Sequence, residues 1–252
     1  GDLHIIGMRD IVYNNPNDNS NHSLGFLPEQ VEWLRQDLAL VPKSKKVVLC
    51  VHIQILNSTK NNANKVVAML NEFQEAHIIS GHTHVTRNYE HSMEGLSTKN
   101  VMEHNSGAVC GRWWSSNIGG DGTPNGYAIF TVKNNSVDNF VYKPVDLDES
   151  YQMRVYNGSQ KYTGSKKLTF GWPEEYHGCF IADVFNDDAE NWKVEFIQNG
   201  VATPMTRVTK KLRDWCMFSY FINENGRSPK NTAYHTGKLH YWTLPAPSGN
   251  PA

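Results

Sequence analysis

The sequence predicts an α/β class fold: part of an α/β sandwich layer, followed by a small β-sandwich-like domain. Three observations carry this. The first 90 residues alternate short apolar runs with amphipathic stretches of helical period, the pattern of strands and helices packed in layers. After about residue 100 the helical period fades and short alternating runs replace it. "VDLDES" at 145–150 interrupts the strand pattern, which places the domain boundary between residues 1–148 and 149–252.

The elements follow in order. "LHIIGM" and "DIVY" read as extended apolar segments. "LPEQVEWLRQDLALVP" predicts a helix. Pro28 suits its first turn, Glu29 favours its positive end, and Val31, Leu34, Leu38 and Val41 share a face before Pro42 stops it. "KKVVLCVHI" is nearly continuous in apolar residues, as in a strand buried on both faces. "NANKVVAMLNEFQEA" predicts a second helix with Val66, Leu70 and Phe73 in line, and "HIISGH" the next buried strand. "NVMEHNSGAV", "GYAIFTVKN" and "VDNFVYKPV" read as strands. Beyond Tyr151 the chain reads as all-β. The clearest hairpin is "NWKVEFIQNGVATPMTRVT", with Asn199-Gly200 at a type I′ turn. "DWCMFSYFI" and "LHYWTL" read as further strands, with Asn225-Gly226 as another turn.

Composition narrows the function classes. The net charge of -1 gives no basic field for nucleic acid, and no apolar run approaches the roughly 20 residues of a bilayer span. Cys50, Cys110, Cys179 and Cys216 are too widely spaced for a zinc knuckle or a dense disulfide framework, so free structural thiols are expected. The chain opens in a strand with no basic-then-apolar leader. It is therefore expected to be a piece of a longer protein, in which a missing signal says nothing of location.

The histidines carry the chemistry. Imidazole is the commonest ligand for borderline divalent metals. His52 closes one buried strand; His82 and His84, in "GHTH", follow the next. Alternate side chains of a strand point apart, but a turn just past its end breaks the alternation, and Gly81 leaves room for the bend. If the two strands are parallel neighbours joined by the helix between them, their carboxyl ends bring His52, His82 and His84 together. A His-x-His pair alone is a weak signal; the matching position of His52 strengthens it. His77, at the start of its strand, reads as structural.

"LCVHI", a helix and "HIISGHTH" together resemble the closing half of the calcineurin-like metallophosphoesterases. "GFLPEQVEWLRQDLALVPKSKKVVLCVHI" resembles the family's stretch leading into these motifs. "GAVCGRWWSSNIGGDGTPNGYAIFTV" resembles a bacterial branch with its own β-rich C-terminal domain, which "YQMRVY" opens. The likeness covers nearly the whole chain. It implies hydrolysis of phosphomonoesters or phosphodiesters, a divalent metal pair (Mn, Fe or Zn), and an extracytoplasmic bacterial location. It implies His52 and His82 on one metal and His84 on the other. The remaining ligands belong to Asp-x-His, Gly-Asp-x-x-Asp and Gly-Asn-His motifs.

Those motifs must precede the "LPEQVEWL" helix, and only about two dozen residues do. Asp2 and His4 in "GDLH" have the spacing of the first motif. The stretch matches better a strand that the branch carries after all three motifs, so His4 is expected to have no catalytic role. The chain by itself is accordingly expected to be inactive and to bind one metal or none. Removing the first part of such a layer exposes apolar sheet surface. Self-association, or cover from the second domain, is the expected consequence.

Arg112, Trp113 and Trp114 in "CGRWW", and His104, are candidates for substrate contact, by phosphate pairing and pocket walls. The glycines of "GGDGTPNGY" match no nucleotide loop and read as turn geometry, and Asp121 among them is a weak metal candidate. The alternative reading is a non-catalytic module binding carbohydrate or a cell-envelope component. It requires exposed rings among Trp172, Trp192, Trp215 and Trp242, whereas buried rings favour a structural role.

Overall fold

A computed structural model describes residues 3–14, 17, 20–56, 58–92, 101–111, 116–134, 136–163, 169–188, 191–219 and 240–246. They fall into two units, one of residues 1–106 with 128–140, the other of 107–127 with 141–252. The fold is mixed and sheet-rich, with few helices.

In the first unit, β1 (Leu3–Gly7) leads through a small hairpin, β2 (Ile11–Tyr13) and β3 (His22–Leu24), into α1 (Pro28–Ala39). Then come β4 (Lys46–Ile53), α2 (Ala63–Leu70), β5 (Glu75–Gly81), β6 (Arg87–Glu90) and β7 (Val101–Asn105). The sheet order is β1-β4-β5-β7-β6; all neighbours are parallel except β6 against β7. The helix crossovers thus make β4 and β5 parallel neighbours, as expected. α1 starts where Pro28 and Glu29 place it, and Gln30 Oε1 accepts the Leu27 backbone N–H at 3.0 Å, one half of a capping box. Leu34, Leu38, Val66, Leu70 and Phe73 pack with Val47, Leu49 and Ile78 of the sheet in a single core. The second helix is shorter than its periodicity predicts. It ends at Leu70, and Phe73 reaches the core from a turn instead, its N–H on the Leu70 carbonyl.

β4 is buried on both sides: Val47, Val48 and Leu49 are all inaccessible. A further hairpin, β8 (Gly126–Lys133) and β9 (Ser136–Pro144), sets Phe130 and Phe140 edge-on against His104 of β7. At the open edge, Ile5 of β1 remains 65% exposed.

The second unit is built on β10 (Met153–Asn157), β11 (Lys161–Thr163), β12 (Thr169–Gly171), β13 (Cys179–Val184), β14 (Glu195–Gln198), β15 (Val201–Pro204), β16 (Thr206–Arg207), α3 (Trp215–Ser219) and β17 (Tyr241–Pro245). A four-stranded sheet runs β10-β13-β17-β16, and β11-β12 and β14-β15 are separate hairpins. The predicted turn is present: Asn199 and Gly200 have φ of 52° and 79°, the pair of positive values a type I′ turn needs. "DWCMFSYFI" is a correction, since Trp215–Ser219 is helical rather than extended. The cause is Asp214, whose carboxylate accepts the Met217 N–H at 2.5 Å and caps the helix start. Asn225-Gly226 lies outside the described residues.

Trp172 and Trp242 are buried, and Trp192 and Trp215 pack against the same apolar clusters. Two rings are therefore interior and two partly buried against the same clusters, which favours a structural set. The four cysteines are free.

Candidate metal centre

The site is built where β4 stops being regular. Its pairing with β5 runs in register to Cys50–Ile79 and resumes at Ile53–Gly81, so β4 has one residue more than β5 between those points. This is a bulge, and it turns His52 out of the strand's alternation. The bulge leaves His52 without a strand partner in β5, and the ladder restarts at Ile53. The backbone N–H groups of these two residues are accepted by the two oxygens of Asp10, at 3.1 and 2.7 Å. Asp10 is wholly buried, and burial pushes its carboxyl above the usual range despite these bonds.

At the end of β5 the chain turns through two left-handed residues. His82 has φ of 68° and His84 of 56°. Such a conformation costs an L-residue about 1–2 kcal/mol, and strain of this kind gathers at functional sites. Gly81 is not where the chain bends: its φ is not positive, and a Cβ there would meet only the His52 carbonyl, at 3.9 Å. The expected alternation break is therefore present, but the histidines make it.

The bulge and the turn bring His52 Nε2 within 3.2 Å of His82 Nδ1, with the rings edge-on. Two nitrogens each about 2.0–2.1 Å from one tetrahedral ion stand about 3.3–3.4 Å apart. The pair thus has the spacing of two neighbouring ligands on one metal. Burial, then the His52 and His22 imidazoles beside it, hold the His82 pKa below its ordinary value, which keeps its lone pair available. His84 stands within electrostatic reach of His82. Among the described residues no group of three or more His, Cys, Asp and Glu side chains is arranged to hold a metal ion.

A second buried carboxylate frames the site. Glu103 of β7 accepts the Ile55 and Leu56 N–H groups at 2.8 and 3.0 Å, just past His52. It also accepts Ser80 Oγ at 2.6 Å, two residues before His82, together with the Tyr89 hydroxyl and His91 Nε2. One side chain thereby ties the segments after β4 and at the end of β5 to the sheet.

The other predicted residues lie elsewhere or cannot be placed. His104 is 2% exposed, its Nε2 at 2.9 Å from His77 Nδ1 and its Nδ1 at 2.8 Å from Asn88 Oδ1. Burial, then the neighbouring His77, lowers its pKa to about 3. His77 continues the chain of contacts to Glu75, at 3.1 Å. Arg112, Trp113, Trp114 and Asp2 lie outside the described residues. His4 pairs with Asp37 of α1 at 2.7 Å. Asp121 is buried in the other unit and accepts the Thr123 N–H at 3.1 Å.

Three residues of the site carry no signal in the sequence. His22, on β3, lies with its ring centroid 5.8 Å from that of His82. It comes from a polar loop with no motif around it. Asp10 and Glu103 act on backbone groups more than 40 residues away, a relation no local pattern encodes.

Residues 103–250 match a family model described as the C terminal of calcineurin-like phosphoesterase. No curated protein and no solved structure matches the chain.

Proposed function

This chain belongs to the calcineurin-like phosphoesterases, whose C-terminal domain it carries, and from that premise we propose that its strand-end histidines are half of a two-metal site for phosphoester hydrolysis. The observation that carries the reading is the 3.2 Å approach of His52 Nε2 and His82 Nδ1 at adjacent parallel strand ends. His52 and His82 hold one ion and His84 holds its neighbour. A bound metal pair supplies a nucleophilic water at neutral pH and neutralises charge on the phosphoryl oxygens.

The chain's own residues supply rigidity and neutral donors. The bulge and the left-handed turn fix the angle between the two rings, and Asp10 and Glu103 hold the backbone beneath them. A metal pair also needs a bridging carboxylate. These 252 residues contain no Gly-Asp-x-x-Asp and no Gly-Asn-His. By themselves they bind a single ion through imidazole and do not turn substrate over.

Two measurements test this. Zinc or cobalt titrated into the chain binds at one site and is lost in His52→Ala and His82→Ala. An aryl phosphate or phosphodiester with added manganese or zinc stays intact. Metal-dependent turnover that disappears in His82→Ala would show that the 252 residues hold a complete site after all.

A further inference from the structure

We propose that Asp10 is the positioning residue of this centre, setting the His52 imidazole through the backbone of the bulge. The inference rests on reading His52 and His82 as ligands. β1 ends at Gly7, and its ladder with β4 closes with the Met8 N–H on the Cys50 carbonyl at 3.0 Å. On the other side of β4 the register with β5 breaks at the same point. Past Cys50, therefore, β4 has lost β1 as a partner and is out of register with β5 until Ile53, in the place where His52 needs a fixed direction.

Buried N–H groups without partners are costly, and the chain meets the need with one side chain. Asp10 Oδ1 takes the His52 N–H and Oδ2 the Ile53 N–H, at 3.1 and 2.7 Å. Two consecutive peptides are locked by one carboxylate, which defines the backbone at the residue whose ring meets His82. The Asp10 carbonyl accepts the Gly25 N–H at 2.8 Å, so the hairpin strand carrying His22 hangs from the same residue. Partners that orient ligands are worth about 10–100-fold in metal affinity.

The test compares Asp10→Asn and Asp10→Ala with the full 252-residue chain. An amide keeps one acceptor and turns a donor toward the second N–H, so Asn loses one bond; Ala loses both. Two readouts are taken on variants that keep the parent circular dichroism. In amide hydrogen exchange, both His52 and Ile53 exchange about tenfold faster or more in Asp10→Ala and one of the two does so in Asp10→Asn, while Val47, Val48 and Leu49 keep their rates. In cobalt titration, the dissociation constant rises about 10–100-fold in Asp10→Asn, and binding vanishes in His52→Ala and His82→Ala. Parent exchange rates at His52 and Ile53, or a parent cobalt affinity in Asp10→Asn while the histidine variants lose binding, would overturn the positioning role alone. Cobalt binding indifferent to both histidine variants would overturn the ligand reading, and the inference with it.

Discussion

Five donors end on the single carboxylate of Glu103: two backbone N–H groups, the Ser80 and Tyr89 hydroxyls and His91 Nε2. A glutamine there has one acceptor oxygen and a donor amide; the hydroxyls and the imidazole can turn to accept from the amide, but one of the two backbone N–H groups is left without an acceptor. Glu103→Gln is expected to destabilise the chain by about 1–3 kcal/mol, the cost of one stranded buried donor. Urea denaturation measures it, and a change under 1 kcal/mol would mean that the network relaxes at little cost. Gly81→Ala runs the other way. The glycine sits in ordinary strand conformation, and a Cβ there makes only an ordinary contact with the His52 carbonyl, at 3.9 Å. Alanine there is expected to stabilise by about 0.4–1 kcal/mol through the unfolded chain, read in the same denaturation. The contrast shows what a sequence discloses at this scale. His52, His82 and His84 could be picked out because a ligand must be a particular residue type at a particular strand end. Asp10 and Glu103 could not, because nothing local distinguishes them from the chain's other carboxylates, and only the folded register decides which one meets those backbone groups.

Elements were legible where one signal dominated. Pro28 with Glu29 and a four-residue apolar face marks α1, and the nearly continuous apolar run of "KKVVLCVHI" marks β4, whose Val47, Val48 and Leu49 are buried. The misread element, α3, had two competing signals. Its alternating aromatic residues speak for a strand, but Asp214 in front offers a cap, and a five-residue helix with Met217 and Phe218 buried results. The turn Asn199-Gly200 was read from composition alone, and the cost of disturbing it can be stated. Gly200 has φ of 79° with nothing near its Cβ, so a substitution meets no steric obstacle except its own backbone. Gly200→Ala is expected to cost about 1 kcal/mol, and Gly200→Asn less, since asparagine tolerates the left-handed region. Thermal unfolding of the two variants measures the difference; equal losses would mean that the strand pairing, and not φ, sets the cost. Gly122 differs from Gly200 in kind. Its φ of 90° is combined with the Asp214 carboxyl carbon 2.3 Å from where a Cβ would stand, so there a side chain must displace the cap of α3.

At the scale of the molecule, the buried histidines of the first unit and the Asp214–His240 cluster of the second bear on opposite ends of the pH range, with Asp10 in the first unit, raised by burial, working against the contrast. In the first unit His77 and His104 are buried and held neutral. Desolvation lowers both, and His104 falls to about 3. The unfolded chain, with ordinary histidines near 6.5, binds protons that the folded unit refuses. Their contribution to stability is whole above that value and is lost as pH falls from it toward 3. In the second unit, burial and then the Asp183 carboxylate raise Asp214 to about 8. Its contribution is whole below the ordinary aspartate value of 3.8 and is lost as pH rises through 8. Burial alone would lower His240. Its contact with Asp183 at 2.6 Å, and the nearby Asp121 and Asp187, outweigh burial and raise it to about 9, so its contribution is whole below 6.5 and is lost as pH rises through 9. Hydrogen exchange read by mass spectrometry at pH 5, 7 and 9, corrected for intrinsic rates, resolves the two units separately. At pH 5 the peptides of β5 and β7 should lose protection before those of β13 and β17; at pH 9 the order should reverse. His104→Phe, whose ring sits beside Phe130 and Phe140 without a proton to take up, should blunt the acid loss. Asp214→Asn, which keeps an acceptor for the Met217 N–H but no charge, should blunt the alkaline one. The same order of opening at both pH values would mean that these buried groups do not govern the stability of their units, whatever their individual titrations.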